Sequence, residues 1–381
     1  FLLSQAEFRH NVITHHCEIR WTEEAGFLPL TDRDVNTLWG RMNKTVGRVY
    51  LTDIYNVIHS EFVPLFNPFQ SYFDHLPSWD GVSDPIGDLA DTVHVKSDQA
   101  EFRDYFRKWF VGILPALLDD TVVNHEILVL IGEQGLYKTT WFNFLLPPEL
   151  RCYFYTKTNS DRLNKDDLFS LTEFALICFE ELDGMRPAEL NQLKAMVTMP
   201  YVNERAAYGR NKERHPHIAS FCGTGNNVQF LTDPTGNRRW LPFEVSQIRD
   251  PHQHAIPYEL VYSQAYALWK SGFCHWFSQE EIRVLNTHNS RFEVPNLEED
   301  LIRTHFRKPF EGEAGIFVTA ADILEQISSC LRYPLSPNKI GRIMAGLEFE
   351  SIRYKGKRGY ITVKKTGEDI DRERRSGALG L

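Results

Sequence analysis

The segment "GEQGLYKTT" (132–140) carries residues that could bind a chain of phosphates. It follows the pattern G-x-x-x-x-G-K-[ST], in which backbone amides cradle phosphates, the lysine reaches the terminal phosphates and the hydroxyl ligates Mg²⁺. Lys138 and Thr139 fit this pattern, whereas Tyr137 stands where it has its last glycine. A glycine-containing surface turn is the alternative interpretation. The candidate nucleotide-binding residues are Gly132, Glu133, Gln134, Gly135, Leu136, Tyr137, Lys138, Thr139 and Thr140.

Acidic residues follow the apolar run "FALICF" (174–179). Glu180 is a candidate to hold Mg²⁺, partly through water, and Glu181 is a candidate to polarise an attacking water. Asp183 is a third acid within the same turn. A solvated strand end would also carry several acids, so this assignment depends on the neighbouring phosphate loop.

Two further polar segments have the residue types of a phosphate-transfer site. Asn226, in "SFCGTGNN" (220–227), could orient a water or contact the terminal phosphate, although a plain Gly-Asn turn is the alternative. Arg238 and Arg239 end the segment "DPTGNRR" just before an apolar run. A guanidinium held there could stabilise the charge of a transferring phosphate, and surface arginines closing a turn are the alternative.

Short apolar runs flank these polar segments and predict buried strands. They are "EILVLI" (126–131), "CYFY" (152–155), "FALICF" (174–179), "IASFCGT" (218–224) and "RWLPFEV" (239–245). Helical or polar segments separate several of the runs. This alternation predicts an α/β fold with a mainly parallel five-stranded sheet that is covered on both faces.

The rest of the chain predicts smaller parts. We expect a mostly helical region at 1–99, the nucleotide-binding core at 100–250, a helical connector at 251–300, a small α+β module at 301–365 and a flexible tail at 366–381. Within the module, "SIRYKGKRGYITVKK" predicts a hairpin with Gly356 or Gly359 near its turn. Because the chain begins at Phe1 rather than Met, we expect it to be a piece of a longer protein.

Charge and composition restrict the class of protein. The net charge of −9 argues against a uniformly basic nucleic-acid binder, but the segments 208–217 and 331–365 are locally basic. The second has nine Lys/Arg and two Glu, which suits either DNA binding or protein docking. No apolar run approaches the ~20 residues of a membrane span. The six cysteines are scattered, so we expect a reduced, cytoplasmic protein.

The order of these motifs resembles that of the superfamily 3 helicases, a branch of the AAA+ ATPases. The segments "ELDGM", "LKAMV", "YGR", "GTGNN" and "DPTGNRRW" look like the virulence-associated protein E family of phage- and island-encoded primase-helicase proteins. The resemblance is strongest over about 126–245, and "DPTGNRRW" after "GTGNN" is its most specific part. The C-terminal segment resembles a winged-helix-like module.

The resemblance implies a P-loop core and a role for each candidate residue. Glu180 and Glu181 match the acidic pair that binds magnesium and activates water, and Asn226 matches the sensor asparagine. Arg238 or Arg239 matches the arginine finger, which acts on the nucleotide of the neighbouring subunit. Further implied are ATP and Mg²⁺ as cofactors, a hexameric homo-oligomeric ring and single-stranded DNA as partner, with a possible primase domain or partner. The DNA-gripping hairpin of the family would carry Arg210, Lys212, Arg214 and His215.

These features predict an ATP-dependent DNA helicase or replication protein of a phage or mobile element. The alternatives are a replication initiator that does not translocate and a DNA-binding adaptor in which Tyr137 has abolished hydrolysis. The retained Lys138, Thr139 and acidic pair argue against the adaptor. We expect Tyr137 to adopt an ordinary right-handed backbone conformation, with its ring turned away from the nucleotide.

Overall fold

The computed structural model describes residues 2–22, 26–158, 165–204, 213–232, 237–294, 297–310, 312–328, 336–367 and 369. The chain forms two compact units, Phe1–Glu293 and Val294–Leu381. Their boundary lies close to the predicted start of the C-terminal module at 301, whereas the expected divisions at 99 and 250 fall inside the first unit. Among the described residues, no helix is both long and apolar enough to cross a membrane.

The N-terminal part of the first unit combines helices with a small sheet. Its elements are α1 (Leu2–Gln5), β1 (Ala6–Asn11), β2 (His16–Trp21), β3 (Leu28–Pro29), α2 (Asp32–Thr45), α3 (Leu51–Ile58), β4 (Leu65–Phe66), α4 (Pro68–Asp74) and α5 (Pro85–Ala90). The four strands pair in the order β3-β2-β1-β4. Phe8 and Ile19 of this sheet share a small core with Leu38 and Ile54 of the helices. The prediction of a mostly helical region missed the sheet, because β1 and β2 show buried–exposed alternation over only six residues each.

The larger part of the first unit is built around a second sheet. Its elements are β5 (Val93–Val95), α6 (Gln99–Leu118), β6 (Ile127–Ile131), α7 (Lys138–Phe144), β7 (Phe154–Lys157), α8 (Lys165–Glu173), β8 (Leu176–Phe179), α9 (Pro187–Val197), β9 (Tyr201–Glu204), β10 (Glu213–Pro216), β11 (Ser220–Gly225), β12 (Trp240–Ile248), α10 (Tyr258–Lys270) and α11 (Gln279–Asn289). Strands β9 and β10 form a separate two-stranded hairpin.

The second sheet has six strands in the order β5-β12-β6-β11-β8-β7. The five predicted strands are present and parallel to one another. The sixth, β5, pairs antiparallel with β12, so the prediction of five strands was incomplete. A run of three residues interrupted by His94 is too short for an apolar pattern to indicate a strand.

Both faces of this sheet are covered by hydrophobic cores. Along β6, Leu128 and Leu130 belong to one core, whereas Ile127, Val129 and Ile131 belong to the other. All five β6 residues are buried, as expected for a central parallel strand. The carboxyl ends of the parallel strands therefore meet at one edge of a rigid layer.

The buried helix α6 is tied to the central strands by polar contacts as well as packing. The indole Nε1 of Trp109 donates to the Phe221 carbonyl at 2.9 Å. The Asn124 amide donates to the Trp109 carbonyl at 3.0 Å and to the Ser220 hydroxyl at 3.1 Å. Because these groups are buried, their hydrogen bonds fix how the helix lies against the sheet.

The second unit contains helices and a small antiparallel sheet. Its elements are α12 (Leu297–His305), β13 (Phe306–Arg307), β14 (Ile316–Val318), α13 (Ala320–Ser328), α14 (Pro337–Gly346), β15 (Ser351–Tyr354) and β16 (Lys357–Lys364). The predicted hairpin is formed by β15 and β16, which pair directly. Its turn contains Gly356, with φ of +77°, whereas Gly359 allows close packing, since a Cβ there would lie 2.5 Å from the Phe317 ring.

Candidate functional site

A cleft of about 390 Å³ opens at the carboxyl edge of the second sheet. The loop after β6, the start of α7 and the ends of β8 and β11 enclose it. Its lining residues are Gln134, Gly135, Leu136, Tyr137, Lys138, Thr139, Thr140, Glu180, Glu181, Thr224, Gly225 and Asn226. The structure thus brings the predicted loop, both acids of the pair and the asparagine into one place.

The loop after β6 requires glycine at two positions. The Gly132 amide donates to the Gly225 carbonyl at 3.1 Å, which joins the loop to the end of β11. A Cβ at Gly132 would lie 2.9 Å from the Val245 carbonyl oxygen, too close for any side chain. Gly135 has φ of +90°, where side chains other than glycine are strained.

The Lys138 side chain folds back over the loop. Its ammonium donates to the carbonyls of Gly132 and Glu133, both at 2.7 Å, and the residue is only 8% exposed. Burial lowers the pKa of Lys138, while the charge of Asp183 acts in the opposite direction. A buried cation with only neutral acceptors gains free energy when an anion reaches it, so this cleft favours a negatively charged ligand.

Thr139 and Glu180 lie in direct contact. The Thr139 hydroxyl donates to Oε1 of Glu180 at 2.7 Å, and this bond joins the start of α7 to the end of β8. A hydroxyl and a carboxylate are oxygen ligands of the kind that Mg²⁺ prefers, with waters and substrate phosphates as its other ligands. The pair therefore fits a magnesium site.

The two acids beyond Glu180 have different surroundings. Glu181 is exposed and has φ of +54°, a left-handed backbone conformation that directs the chain into the next turn. The position of Asp183 in the sequence suggested a third reactive acid, but its carboxylate is used in hydrogen bonds to a neighbouring turn. Its carboxylate accepts from the backbone amides of Asn226 and Asn227 at 3.0 and 3.1 Å and from the Asn227 side chain at 2.7 Å. Asp183 therefore holds the turn that carries Asn226, a role for which the sequence shows no local sign, since its partners lie 43 and 44 residues away.

Tyr137 does not have the backbone conformation that we expected. Its φ and ψ are +60° and +18°, in the left-handed region, rather than right-handed. The prediction was wrong because the loop must turn here to let α7 begin at Lys138, and the glycine of the pattern supplies that conformation. A non-glycine residue in this region costs roughly 1–2 kcal/mol. The side chain is 43% exposed.

The arginine pair lies at the opposite edge of the sheet. Trp240, which follows Arg239, pairs with Ile127 at the start of β6, whereas the phosphate-binding loop follows Ile131 at its end. Four steps of about 3.3 Å separate these ends by about 13 Å, beyond the reach of an arginine side chain. In this chain, Arg238 and Arg239 are therefore apart from the cleft of Lys138.

A second cleft surrounds the arginine pair. It is lined by His125, Glu126, Thr198, Arg238, Arg239, Trp276, Phe277 and Ile282. Burial lowers the pKa of Arg239, and neighbouring Arg238 lowers it further. Burial also raises the pKa of Glu126 to about 7. Sequence reasoning missed Glu126, because it lies within an apolar run that predicted only a strand.

A family model described as virulence-associated protein E-like domain matches residues 74–294, more than half of the chain. The chain therefore belongs to the virulence-associated protein E-like domain family. The match contains the whole second sheet and both clefts, which confirms the family that the motifs indicated. No curated protein matches the sequence.

Two solved structures show a weak resemblance to this chain. A structure described as "The apo structure of NrS-1 C terminal region (305-718)" is 12% identical, covers 96% of this chain and 97% of that chain, and has a TM-score of 0.48. A structure described as "SCCmec type IV Cch - active helicase" is also 12% identical, covers 99% of this chain and 95% of that chain, and has a TM-score of 0.40.

Of the predicted DNA-gripping residues, Arg214 and His215 lie on β10, which pairs with β9. Arg210 and Lys212 lie outside the described residues. Arg214 is exposed, and its guanidinium lies 3.8 Å from the centroid of the Tyr201 ring. His215 is only 7% exposed, and its ring lies 4.8 Å from that of His15, so it is not placed to contact a DNA backbone. The prediction for His215 is corrected accordingly, because alternate residues of this strand face inward.

The left-handed backbone of Tyr137 predicts that the free energy of unfolding depends on which residue type stands at this position. We expect Tyr137→Val to lower the free energy of unfolding by about 1 kcal/mol or more relative to Tyr137→Asn, because asparagine tolerates this region and β-branched residues do not. Denaturant titration of the two variants measures the difference. Equal stability would contradict the backbone conformation described here.

The raised pKa of Glu126 predicts a pH dependence of stability. Its ordinary pKa is 4.5, so the folded state binds the proton more tightly and loses stability as the pH rises from about 4.5 to 7. Glu126→Gln removes this loss, so the variant should be more stable than the parent at pH 8, on the order of 1 kcal/mol, and equal to it at pH 4.5. Thermal unfolding at both pH values checks this, with exposed Asp120→Asn as the control. An equal gain at both pH values would contradict the assignment.

Proposed function

We propose that this protein hydrolyses ATP in the cleft of Lys138 and uses the energy to move along or remodel single-stranded DNA. The observation that carries the proposal is the hydrogen bond between Thr139 and Glu180 beside the buried ammonium of Lys138. Binding of a magnesium–nucleoside triphosphate requires a cation for the phosphates and oxygen ligands for the metal, and Lys138 with the Thr139–Glu180 pair supplies both kinds of group. The proposed setting is the cytoplasmic replication of a phage or mobile element.

The phosphate chain would lie in the loop between β6 and α7. Gly132 and Gly135 let the loop follow its tight path, on which backbone amides would cradle the phosphates, and Lys138 would exchange its carbonyl partners for phosphate oxygens. Charge-assisted bonds of this kind are roughly twice as strong as neutral ones, which supports the exchange. Mg²⁺ would be held by Thr139 and Glu180 and would supply charge neutralisation between the phosphates.

The remaining cleft residues divide the work of activating water. Glu181 is the exposed carboxylate next to the metal-binding residue, so we assign it the role of accepting a proton from the attacking water. Asn226 also lines the cleft, at the end of β11 between β6 and β8, and its amide would orient that water or contact the terminal phosphate. Asp183 acts through Asn226, because its carboxylate holds the backbone of that turn.

We propose that Arg238 and Arg239 act on the nucleotide of a neighbouring subunit. Their position at the far edge of the sheet prevents them from reaching the cleft of their own chain. A ring, for which we propose six subunits, would place this edge against the next cleft. A guanidinium supplied in this way can accelerate hydrolysis by ~10³–10⁵.

For DNA contact, we propose the hairpin of β9 and β10. Exposed Arg214 stacks on Tyr201, and a cation beside an aromatic ring suits both the phosphates and the bases of a single strand. The resemblance adds Arg210 and Lys212 to this surface. A replication initiator that does not translocate would use the same residues, and strand displacement separates the two functions.

The backbone conformation of Tyr137 argues against the alternative function, a DNA-binding adaptor that does not hydrolyse ATP. Its left-handed backbone takes the conformation that glycine would supply, so the phosphate loop keeps its path despite the side chain. A loop that no longer served nucleotide binding would have no reason to hold a tyrosine in a strained conformation.

Subunit mixing tests the cleft and the arginine pair together. We expect Lys138→Met and the double variant Arg238→Ala/Arg239→Ala each to lose ATP turnover by at least about 10²-fold, because each lacks one charge that the transition state needs. Their mixture should regain turnover, since a Lys138→Met subunit still offers its arginines to an intact neighbouring cleft. ATP hydrolysis with single-stranded DNA is the measurement, and Lys44→Met, on the exposed surface of α2, is the control.

Two results would contradict the proposal. Undiminished turnover by Lys138→Met would remove the assignment of the cleft. Loss of turnover in both variants without any recovery in the mixture, when the mixed oligomer has the mass of the parent, would show that the arginines do not act between subunits.

A further inference from the structure

The hairpin of β15 and β16 presents a cluster of exposed cations. The basic residues near its turn are Arg353, Lys355, Lys357 and Arg358. The ion pairs found among the described residues of the second unit involve other cations, namely Arg303, Arg307, Lys308 and Lys339. The charge of this hairpin is therefore compensated less than that of the surface around it.

Two of these cations lie directly opposite each other. Arg353 pairs with Arg358 in the register of the two strands. Directly opposed side chains have Cβ atoms about 4.5–5.5 Å apart, and like charges at this separation destabilise a hairpin. The Arg358 guanidinium donates through Nε to the Ser351 hydroxyl at 2.9 Å, which holds one arginine in place without neutralising it. An anion between the two guanidiniums would convert this repulsion into attraction.

The tip of the hairpin adds a third cation and an aromatic ring. Lys355 has φ of +48°, a left-handed conformation for a residue other than glycine, and its ammonium lies 5.4 Å from the Tyr354 ring centroid. Tyr354 is 53% exposed, and its ring is supported by that of Phe317 at 5.5 Å. The tip is thus built as a fixed turn that carries positive charge outward.

The charge of Lys357, unlike that of the two arginines, is partly compensated by an acidic residue. Hydrogen bonds from Thr319 hold the pKa of Asp322 below its usual range, and the charge of Lys357 lowers it further. Lys357 therefore has an acidic neighbour, so Arg353 and Arg358 are the residues on which a test should act.

We propose that the hairpin of β15 and β16 binds the phosphodiester backbone of nucleic acid, with Arg353 and Arg358 on either side of a phosphate. Guanidinium groups recognise phosphate through paired hydrogen bonds, and a tetrahedral anion can accept from two of them at once. Backbone contacts of this kind position a strand without reading its sequence. This site is independent of ATP hydrolysis and belongs to the second unit.

The test compares two double variants of the full chain that remove the same charge. Arg353→Gln/Arg358→Gln removes the proposed phosphate ligands, whereas Arg303→Gln/Lys308→Gln removes two cations that pair with Glu299 and Glu348. Binding of an end-labelled oligonucleotide of mixed sequence is measured over a series of salt concentrations, in single- and double-stranded form. Without ATP, the slope of log affinity against log salt should become shallower by about 0.9 for the first variant on duplex and by about 0.7 on a single strand, because one phosphate contact is lost.

Two further measurements accompany the binding assay: the unfolding temperature of each variant and the affinity of the parent for polyglutamate, a second polyanion. The first variant should unfold at the same temperature as the parent or higher, because a like-charge pair is removed. An unchanged salt slope, or an equal change in the control variant, would overturn the proposal. Equal affinity of the parent for polyglutamate would overturn the assignment to nucleic acid in favour of an acidic protein partner. ATP turnover without DNA should be unaffected by both variants, so failure here leaves the hydrolysis proposal separately testable.

Discussion

The parallel pairing of β6 with β11, and of β11 with β8, is the constraint on which the candidate site depends. This pairing ends three strands at the same edge of one sheet. Residues from the loop after β6, from the end of β8 and from the end of β11 thus meet in one cleft, although the loop and the end of β11 lie more than 80 residues apart. The same constraint places Arg238 and Arg239, which precede β12, at the opposite edge. One pattern of strands therefore separates the proposed hydrolytic residues from those proposed to act on a neighbour.

Strain and buried charge concentrate at this edge. Tyr137 and Glu181 are two of the five described residues other than glycine that have positive φ, and both line the cleft. Lys138 is buried with neutral acceptors, which adds a cost of desolvation. Two hydrophobic cores on the faces of the sheet make such costs tolerable, since they hold the strand ends regardless of the loops between them. We infer that the cleft gains stability when its ligand is bound.

Much of the architecture could be predicted from the sequence, because buried parallel strands appear as continuous apolar runs. The five central strands and the residues following them could be placed in this way, as could the loop with Lys138 and Thr139. Features that depend on distant partners could not. Asp183 resembles any acid in a turn until its bonds to Asn226 and Asn227 are seen. The edge strand β5 and the N-terminal sheet were missed because their strands are short, and His215 lies against His15, which is far away in the chain.

Tyr137 shows that a residue other than glycine can hold the left-handed turn of the phosphate loop. A missing glycine suggested an altered loop, but the backbone retains the left-handed turn and the side chain accommodates it. At the last glycine of the phosphate-loop pattern, the left-handed backbone conformation is therefore retained even though the residue is not glycine. Lys355 and Gly356 likewise both have positive φ, as a two-residue hairpin loop of type I′ requires, so a lysine holds a position that asparagine, aspartate or glycine usually fills.

The division of labour between Glu180 and Glu181 is the central claim about the cleft. Its most direct test is to measure the affinity for magnesium–ATP and the rate of ATP hydrolysis of Glu181→Gln. We predict that the affinity stays within about threefold of the parent, because Thr139, Glu180 and Lys138 still hold the ligand, while the rate falls by ~10²–10⁴ through loss of the proton acceptor. Hydrolysis at the rate of the parent, or loss of affinity and rate together in a correctly folded variant, would contradict the account.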